Sequence, residues 1–335
     1  MRSWRVHSFG EPLASLSLDE IPLPSPGPGE LVVRVLSGNA NFADVLLCRG
    51  EYQVRPPIPF TPGIELCGEI VAMGVDVLTH QIGDRVIGCA ALPFGGFSEY
   101  ALMAASGGFA PPPDFNHAEA AAFHLGYQTA WIGLTRRADI QPGETLLVHA
   151  AAGGVGSAAV QLGKLLGALV IGVVGGEGKC DIARSLGADV VIDRKSEDFV
   201  EVVHDITNGR GADVIFDPVG GETYRRSTKC IAFEGRIIVV GFAGGEISAA
   251  PLNHALVRNY TIVGLHWGLY LTRKVEVVEE CQVQLTRLAN EGLIRPLISE
   301  SSSIEELPEL LQRLADGVTI GRVSMACDLQ FESRR

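Results

Sequence analysis

Ala151, Gly153 and Gly156 stand at the spacing Ala-x-Gly-x-x-Gly, directly after the apolar run Leu146-Leu147-Val148. A strand that enters such a turn and continues as a helix can hold a pyrophosphate. The start of a helix offers unpaired N–H groups and a partial positive charge, and glycine lets the backbone approach a phosphate without a Cβ in the way. Ala152, Gly153, Gly154, Val155 and Gly156 would form the cradle, with a helix opening at Ser157. The chemistry implied is dinucleotide binding. The usual first glycine is Ala151 here.

The surrounding elements support that reading. Further β-branched runs lie at 168–174, 188–192, 212–216 and 236–240, with a helical stretch at 179–186 between two of them. Near-continuous apolar runs alternating with amphipathic helices indicate parallel strands buried on both faces. Ligands in such sheets sit at the carboxyl ends of the strands, where Gly153, Gly175, Gly220 and Gly241 fall. The first 125 residues differ in texture. Pro22, Pro24, Pro26 and Pro28 interrupt the start, and short runs at 30–36, 68–73, 84–89 and 97–103 are separated by Gly/Pro turns. That pattern predicts a small irregular β-barrel. A helix is expected over 117–134, a strand over 259–265, helices over 272–291 and 310–315, and a last strand over 322–328 returning to the first domain. The fold class is therefore α/β: a barrel domain from residues 1–125 and 266–335, and a doubly wound parallel-sheet cofactor domain over 126–265.

The chain has 335 residues, a formal net charge of −12 and seven cysteines. Its length allows two domains, each with its own core. The acidic balance and the lack of a basic cluster argue against nucleic-acid or anionic-membrane partners. Scattered cysteines, odd in number and without a Cys-x-x-Cys pair, fit a reduced cytoplasmic protein. No apolar leader follows Met1-Arg2-Ser3-Trp4-Arg5, so no signal peptide is expected. No uninterrupted apolar run reaches the roughly 18 residues of a membrane span. Without a Gly-x-Ser-x-Gly elbow, acyl transfer has no support. His149 and His124 read as packed core residues.

Several segments, in order and spacing, are similar to one family: Asn41-Phe42-Ala43-Asp44 with Arg49-Gly50-Glu51-Tyr52; Thr61-Pro62-Gly63; Gly83-Asp84-Arg85-Val86; Gly95-Gly96-Phe97-Ser98-Glu99-Tyr100; the glycine turn; Leu186-Gly187-Ala188; and Gly241-Phe242-Ala243-Gly244-Gly245-Glu246-Ile247. The chain resembles the zinc-free medium-chain dehydrogenase/reductases, specifically the NADPH:quinone reductases related to zeta-crystallin, over essentially its whole length. The resemblance implies a GroES-like barrel domain beside a Rossmann domain. Zinc-dependent relatives use a cysteine near 39–41 and Gly-His-Glu after the Pro-Gly turn, whereas this chain has Asn39-Ala40-Asn41 and Gly63-Ile64-Glu65. Glu65 alone cannot supply the three ligands of a catalytic zinc, and it is read as structural. No metal is expected.

The resemblance also points to NADPH. NAD-specific sites place an acid at the end of the second strand; here that strand ends at Val174-Gly175-Gly176. Lys179 stands where the family uses a lysine for the 2′-phosphate, and Arg194 where relatives often have a tyrosine at the same phosphate. Glu177 would favour NAD if it pointed inward, and it is expected to face solvent. Metal-free hydride transfer suits quinones, or conjugated enals, enones and enoyl thioesters; simple ketones usually need zinc or a positioned acid.

By resemblance, Asn41 and Tyr52 line the cleft near the nicotinamide. Asn41 would bond the cofactor or the substrate oxygen. Tyr52 would stack on a flat substrate or donate a proton, with positioning weighted above acid catalysis. Asp44 is expected to brace its loop. Thr129 is either a nicotinamide contact or a helical core residue. Gly241, Phe242, His266 and Trp267 are expected to bind the carboxamide through backbone groups or to wall the pocket. The competing class is a low-turnover cofactor- or RNA-binding protein. The apolar strand near Tyr260-Thr261-Ile262-Val263, if at a sheet edge, would pair with its copy and give a homodimer.

Overall fold

The computed structural model describes residues 1–327. Two compact units divide the chain, one made of residues 1–125 with the segment from Arg295 onward, the other of Gly126–Ile294. The second boundary differs from the expected 265/266. Residues 266–294 belong with the sheet unit because the helix Val275–Asn290 is tied there: Gln128 Nε2 donates to Val278 O and to Gln282 Oε1, both at 3.0 Å.

The sheet unit contains six parallel strands in the spatial order Thr261–Gly264, Ile231–Val239, Ala212–Asp217, Thr145–His149, Leu169–Val174, Val190–Asp193. This is the doubly wound order, and its switch point lies between Thr145–His149 and Ala212–Asp217. Thr145–His149 is buried along its whole length, as a central strand covered on both faces must be. The helix after the glycine turn spans Gly154–Leu165, so it opens three residues before the expected Ser157. The expected helix over 117–134 is three pieces: His117–Ala121, His124–Trp131 and a π-helix at Ile132–Arg137.

In the barrel unit one sheet runs in the order Ile298–Ser303, Arg322–Ala326, Glu30–Ala40, Glu65–Met73, Arg85–Cys89, with Tyr100–Ala104 also paired to Glu30–Ala40. Its core gathers Leu31, Phe60, Leu66, Ile70, Phe97 and Met103, closed by Leu310 and Leu311 of the helix Leu307–Ala315. The last strand ends at Ala326; Asp328, where it was expected to end, lies outside the described residues. Among the described residues no helix is long and apolar enough to cross a membrane.

Candidate functional site

In the sheet unit the chain leaves Thr145–His149 through Ala150 at φ 51°. Ala151 N–H then donates to Val173 O at 3.0 Å and Gly153 N–H to Ala150 O at 2.8 Å. The first bond of the new helix is Ser157 N–H to Gly153 O, 2.9 Å. The amides of Gly154, Val155 and Gly156 therefore have no acceptor inside the helix. A Cβ on Gly156 would overlap the Ala150 carbonyl oxygen and come within 2.8 Å of its carbon, so the turn closes only with glycine there. The Ala151 methyl faces Gly172, where an added Cβ would lie 3.0 Å from it. Ala152 is buried, while Gly153, Gly154 and Val155 are half-buried. The result is a cluster of outward amides at a helix N-terminus beside the switch point, which suits an anionic phosphate.

The end of Leu169–Val174 carries the charge. Gly176 takes φ 112° and its N–H donates to Asp193 Oδ1 at 2.8 Å. The same oxygen accepts from Lys195 N–H at 3.0 Å, and these two donors hold the Asp193 carboxyl below its ordinary range. Arg194 lies over Gly175, its Nε and one terminal nitrogen 3.0 Å from where a Cβ would stand. The Lys179 ammonium is pulled down by burial, then by Arg194 and Lys195. Lys195 Nζ stands 3.5 Å from where a Cβ of Gly176 would lie, so Arg194 and Lys195 border Gly175–Gly176 and both are near enough to lower the Lys179 ammonium. Glu177 is exposed, as expected. Lys195 was not singled out from the sequence, although it directly follows Arg194.

Gly241 and Phe242 follow Ile231–Val239, and Phe242 packs on Gly220, whose added Cβ would meet the ring at 2.6 Å. Gly220 N–H and Val219 N–H both donate to Asp217 Oδ1, at 3.0 and 2.8 Å. Trp267 is buried and its indole N–H donates to Gln128 Oε1 at 3.2 Å, so its ring belongs to the helix layer. His266 is half-buried, and Thr129, adjacent to Gln128, is buried. His149 is a core residue, its Nε2 bonded to Ser227 Oγ at 2.8 Å. His124 stacks on Phe109 with ring centroids 5.3 Å apart.

In the barrel unit a buried polar network surrounds Asn41, the N-cap of the helix Phe42–Arg49. Asp44 is wholly buried and accepts from Asn41 N–H at 2.9 Å and from Gly63 and Ile64 N–H, both at 3.0 Å. It therefore braces the loop after the Pro-Gly turn; burial pushes its carboxyl up to about 7 against those bonds. Glu65 is also wholly buried. Its Oε1 accepts Leu125 N–H at 2.6 Å, and its Oε2 accepts Asn39 Nδ2 at 2.7 Å and Asn41 Nδ2 at 3.1 Å. Burial raises its pKa; Arg322 and these donors pull the other way. Arg322 NH1 donates to Asn41 Oδ1 at 2.6 Å and lies 4.0 Å from Glu65 Oε2. Asn39 and Arg322 were not anticipated as members of this cluster. Tyr52 is half-buried against the barrel core, and burial pushes its phenol up to about 12. That direction favours a positioning role over proton donation. Among the described residues no group of three or more His, Cys, Asp or Glu side chains is placed to hold a metal ion.

Comparison with known proteins follows the same division. Residues 27–114 match the alcohol dehydrogenase GroES-like domain, and residues 154–282 match a model described as zinc-binding dehydrogenase. A quinone oxidoreductase-like protein 2 homolog of Nematostella vectensis is 37% identical over 324 residues, 96% of this chain and 88% of that protein. The crystal structure of Escherichia coli quinone oxidoreductase complexed with NADPH superposes with a TM-score of 0.91 at 28% identity, covering 97% of this chain and all of that one. CurF ER cyclopropanase from the curacin A biosynthetic pathway superposes with a TM-score of 0.86 at 27% identity, covering 97% and 98%.

Proposed function

Because the chain belongs to the zinc-free quinone oxidoreductase family of medium-chain dehydrogenase/reductases, we propose that it uses NADPH to reduce a quinone or a similarly activated acceptor. The observation that carries the cofactor choice is the grouping of Lys179, Arg194 and Lys195 around Gly175–Gly176. A 2′-phosphate placed there meets three cations, while Asp193 is engaged by backbone N–H groups and Glu177 is exposed. The amides of Gly154, Val155 and Gly156 would hold the pyrophosphate.

When bound, NADPH supplies a hydride. The chain's own residues bind, orient and exclude water. Asn41 would fix one ligand group through its amide, and Tyr52 would position a flat acceptor with its ring. Gly241 and Phe242 would border the nicotinamide end at the carboxyl end of Ile231–Val239. The donor set around Glu65 is two asparagines, a backbone amide and an arginine. That is the environment of a structural carboxylate and does not match a zinc ligand set. Acceptors that delocalise the incoming charge need no Lewis acid, which favours quinones and conjugated carbonyls over simple ketones. A cytoplasmic location, with small-molecule rather than nucleic-acid or membrane partners, fits seven scattered cysteines without a Cys-x-x-Cys pair and a net charge of −12.

The test is NADPH oxidation with a quinone and a conjugated enone side by side, with NADH as control. Quinone turnover with NADPH and not NADH is expected. Lys179→Ala, Arg194→Ala and Lys195→Ala should each raise the KM for NADPH about tenfold, the loss of one charge-assisted contact, and leave NADH unchanged. Equal use of NADH by the wild type would refute the 2′-phosphate assignment. The second reading, reduction of an enal, enone or enoyl thioester, is supported by the likeness to a cyclopropanase, a neighbour not described as a quinone reductase. Enone turnover without quinone turnover would select it.

A further inference from the structure

Among the described residues Arg322 is the only buried lysine or arginine. Its side chain is 5% exposed, and a guanidinium so placed must be paired to be tolerated. It reaches Asn41 from a strand 281 residues away in sequence. The Asn41 carboxamide is occupied at both ends. Its Nδ2 hydrogens go to Glu65 Oε2 at 3.1 Å and Asn39 O at 3.3 Å, and its Oδ1 takes Arg322 NH1 at 2.6 Å. Turning the amide over would set Nδ2 against the guanidinium and Oδ1 against the Glu65 carboxylate, donor to donor and acceptor to acceptor. Arg322 and Glu65 together therefore fix which end of the amide is which.

We infer that Arg322 is a positioning residue of the hydride-transfer site, holding Asn41 as a hydrogen-bond acceptor only. The inference rests on the reading of Asn41 as part of that site. With both Nδ2 hydrogens spent, Oδ1 is the one atom of the Asn41 amide left to meet a ligand, and it already accepts from Arg322 and faces the Asp44 N–H in the capping box at the start of Phe42–Arg49. It then selects an O–H or N–H donor, such as a ribose hydroxyl or a carboxamide N–H. Donation from Asn41 to an acceptor carbonyl, one of the two roles expected from the sequence, is not available in this arrangement.

The test uses the full chain with isotope-labelled asparagine side chains, the Asn41 signals being assigned by their loss in Asn41→Ala. In the wild type the Nδ2 hydrogens of Asn41 should exchange slowly with solvent. In Arg322→Met they should exchange at least about tenfold faster, as expected when a charge-assisted bond that locks the amide is removed; Arg322→Lys, which keeps the charge and loses the planar fork, should fall between. Unchanged exchange in both variants overturns the assignment. Steady-state rates provide a second readout. Arg322→Met should lower kcat about tenfold in the wild-type background and less than about twofold in Asn41→Ala, because coupled residues are not additive. Equal losses in the two backgrounds would mean Arg322 does not act through Asn41. If the wild type reduces neither quinone nor enone, the hydride-transfer reading fails, while the exchange experiment still decides whether Arg322 holds the amide.

Discussion

At the scale of single residues, His149 carries the clearest pH signature of the sheet unit. It sits just before the glycine turn, and burial pulls its pKa from 6.5 down to about 4. A histidine held neutral in the fold gains a proton more readily once unfolded. Its contribution to stability is therefore present above about pH 6.5 and lost as pH falls through about 4. Between about pH 7 and about pH 4.5, wild type should lose about 2 kcal/mol relative to His149→Gln, measured as the difference in urea midpoints. Equal acid sensitivity in the two proteins would show that His149 is not the group responsible. Much of the candidate site in the sheet unit was legible because its residues are contiguous: the turn at 151–156, the Gly175-Gly176 end, and Lys179 all lie within thirty residues of one another. The polar network of the barrel unit was less legible for the opposite reason. Asn39, Asn41, Glu65 and Arg322 meet through strand pairing, Asn39 opposite Glu65 on one side and Ser324 on the other, and no local pattern records such a meeting.

Elements were readable where burial leaves a period and obscure where pairing alone defines them. The parallel strands were anticipated to within a few residues because both faces are apolar. Ile298–Ser303 was not anticipated: its sequence, Ile-Ser-Glu-Ser-Ser-Ser, has no alternation, and it exists by pairing with the fully buried Arg322–Ala326. Nor does the amphipathic helix Val275–Asn290 reveal which unit its apolar face will join; that depends on Gln128 and Gln282, two polar residues buried together. One side chain ties the amino end of the parallel sheet to the preceding turn. Arg236 reaches both oxygens of Glu144 at 2.8 Å each and Ala138 O at 2.8 Å, with 18% of the side chain exposed. Removing one partner of a largely desolvated bidentate pair leaves the other charge unpaired. Arg236→Ala should cost about 3 kcal/mol of sheet-unit stability, read from urea unfolding, with Arg236→Lys recovering part of it. A loss below about 0.5 kcal/mol would place this pair with ordinary surface ion pairs.

The whole molecule bears on assembly through one margin of the sheet unit. Among the described residues Thr261–Gly264 is an edge strand, paired only with Ile231–Val239. Beside it the helix Leu252–Arg258 packs Ala255 inward but leaves Leu252, Leu256 and Val257 at 75%, 77% and 78% exposure. Phe233 is 68% exposed near the end of that helix, where Glu234 N–H donates to Asn259 O at 3.0 Å. An open strand edge with a run of large apolar side chains next to it is an aggregation hazard for a free monomer. A second copy related by a two-fold axis would cover both features at once, edge against edge and helix against helix, and would close the assembly at two chains. Sedimentation at micromolar concentration is expected to give twice the mass of one chain. Leu256→Glu with Val257→Glu should shift it to the single-chain mass while NADPH binding persists, because neither residue belongs to the glycine turn or the cation cluster. A single-chain mass for the wild type would reject the pairing and require some other explanation for so exposed a helix face.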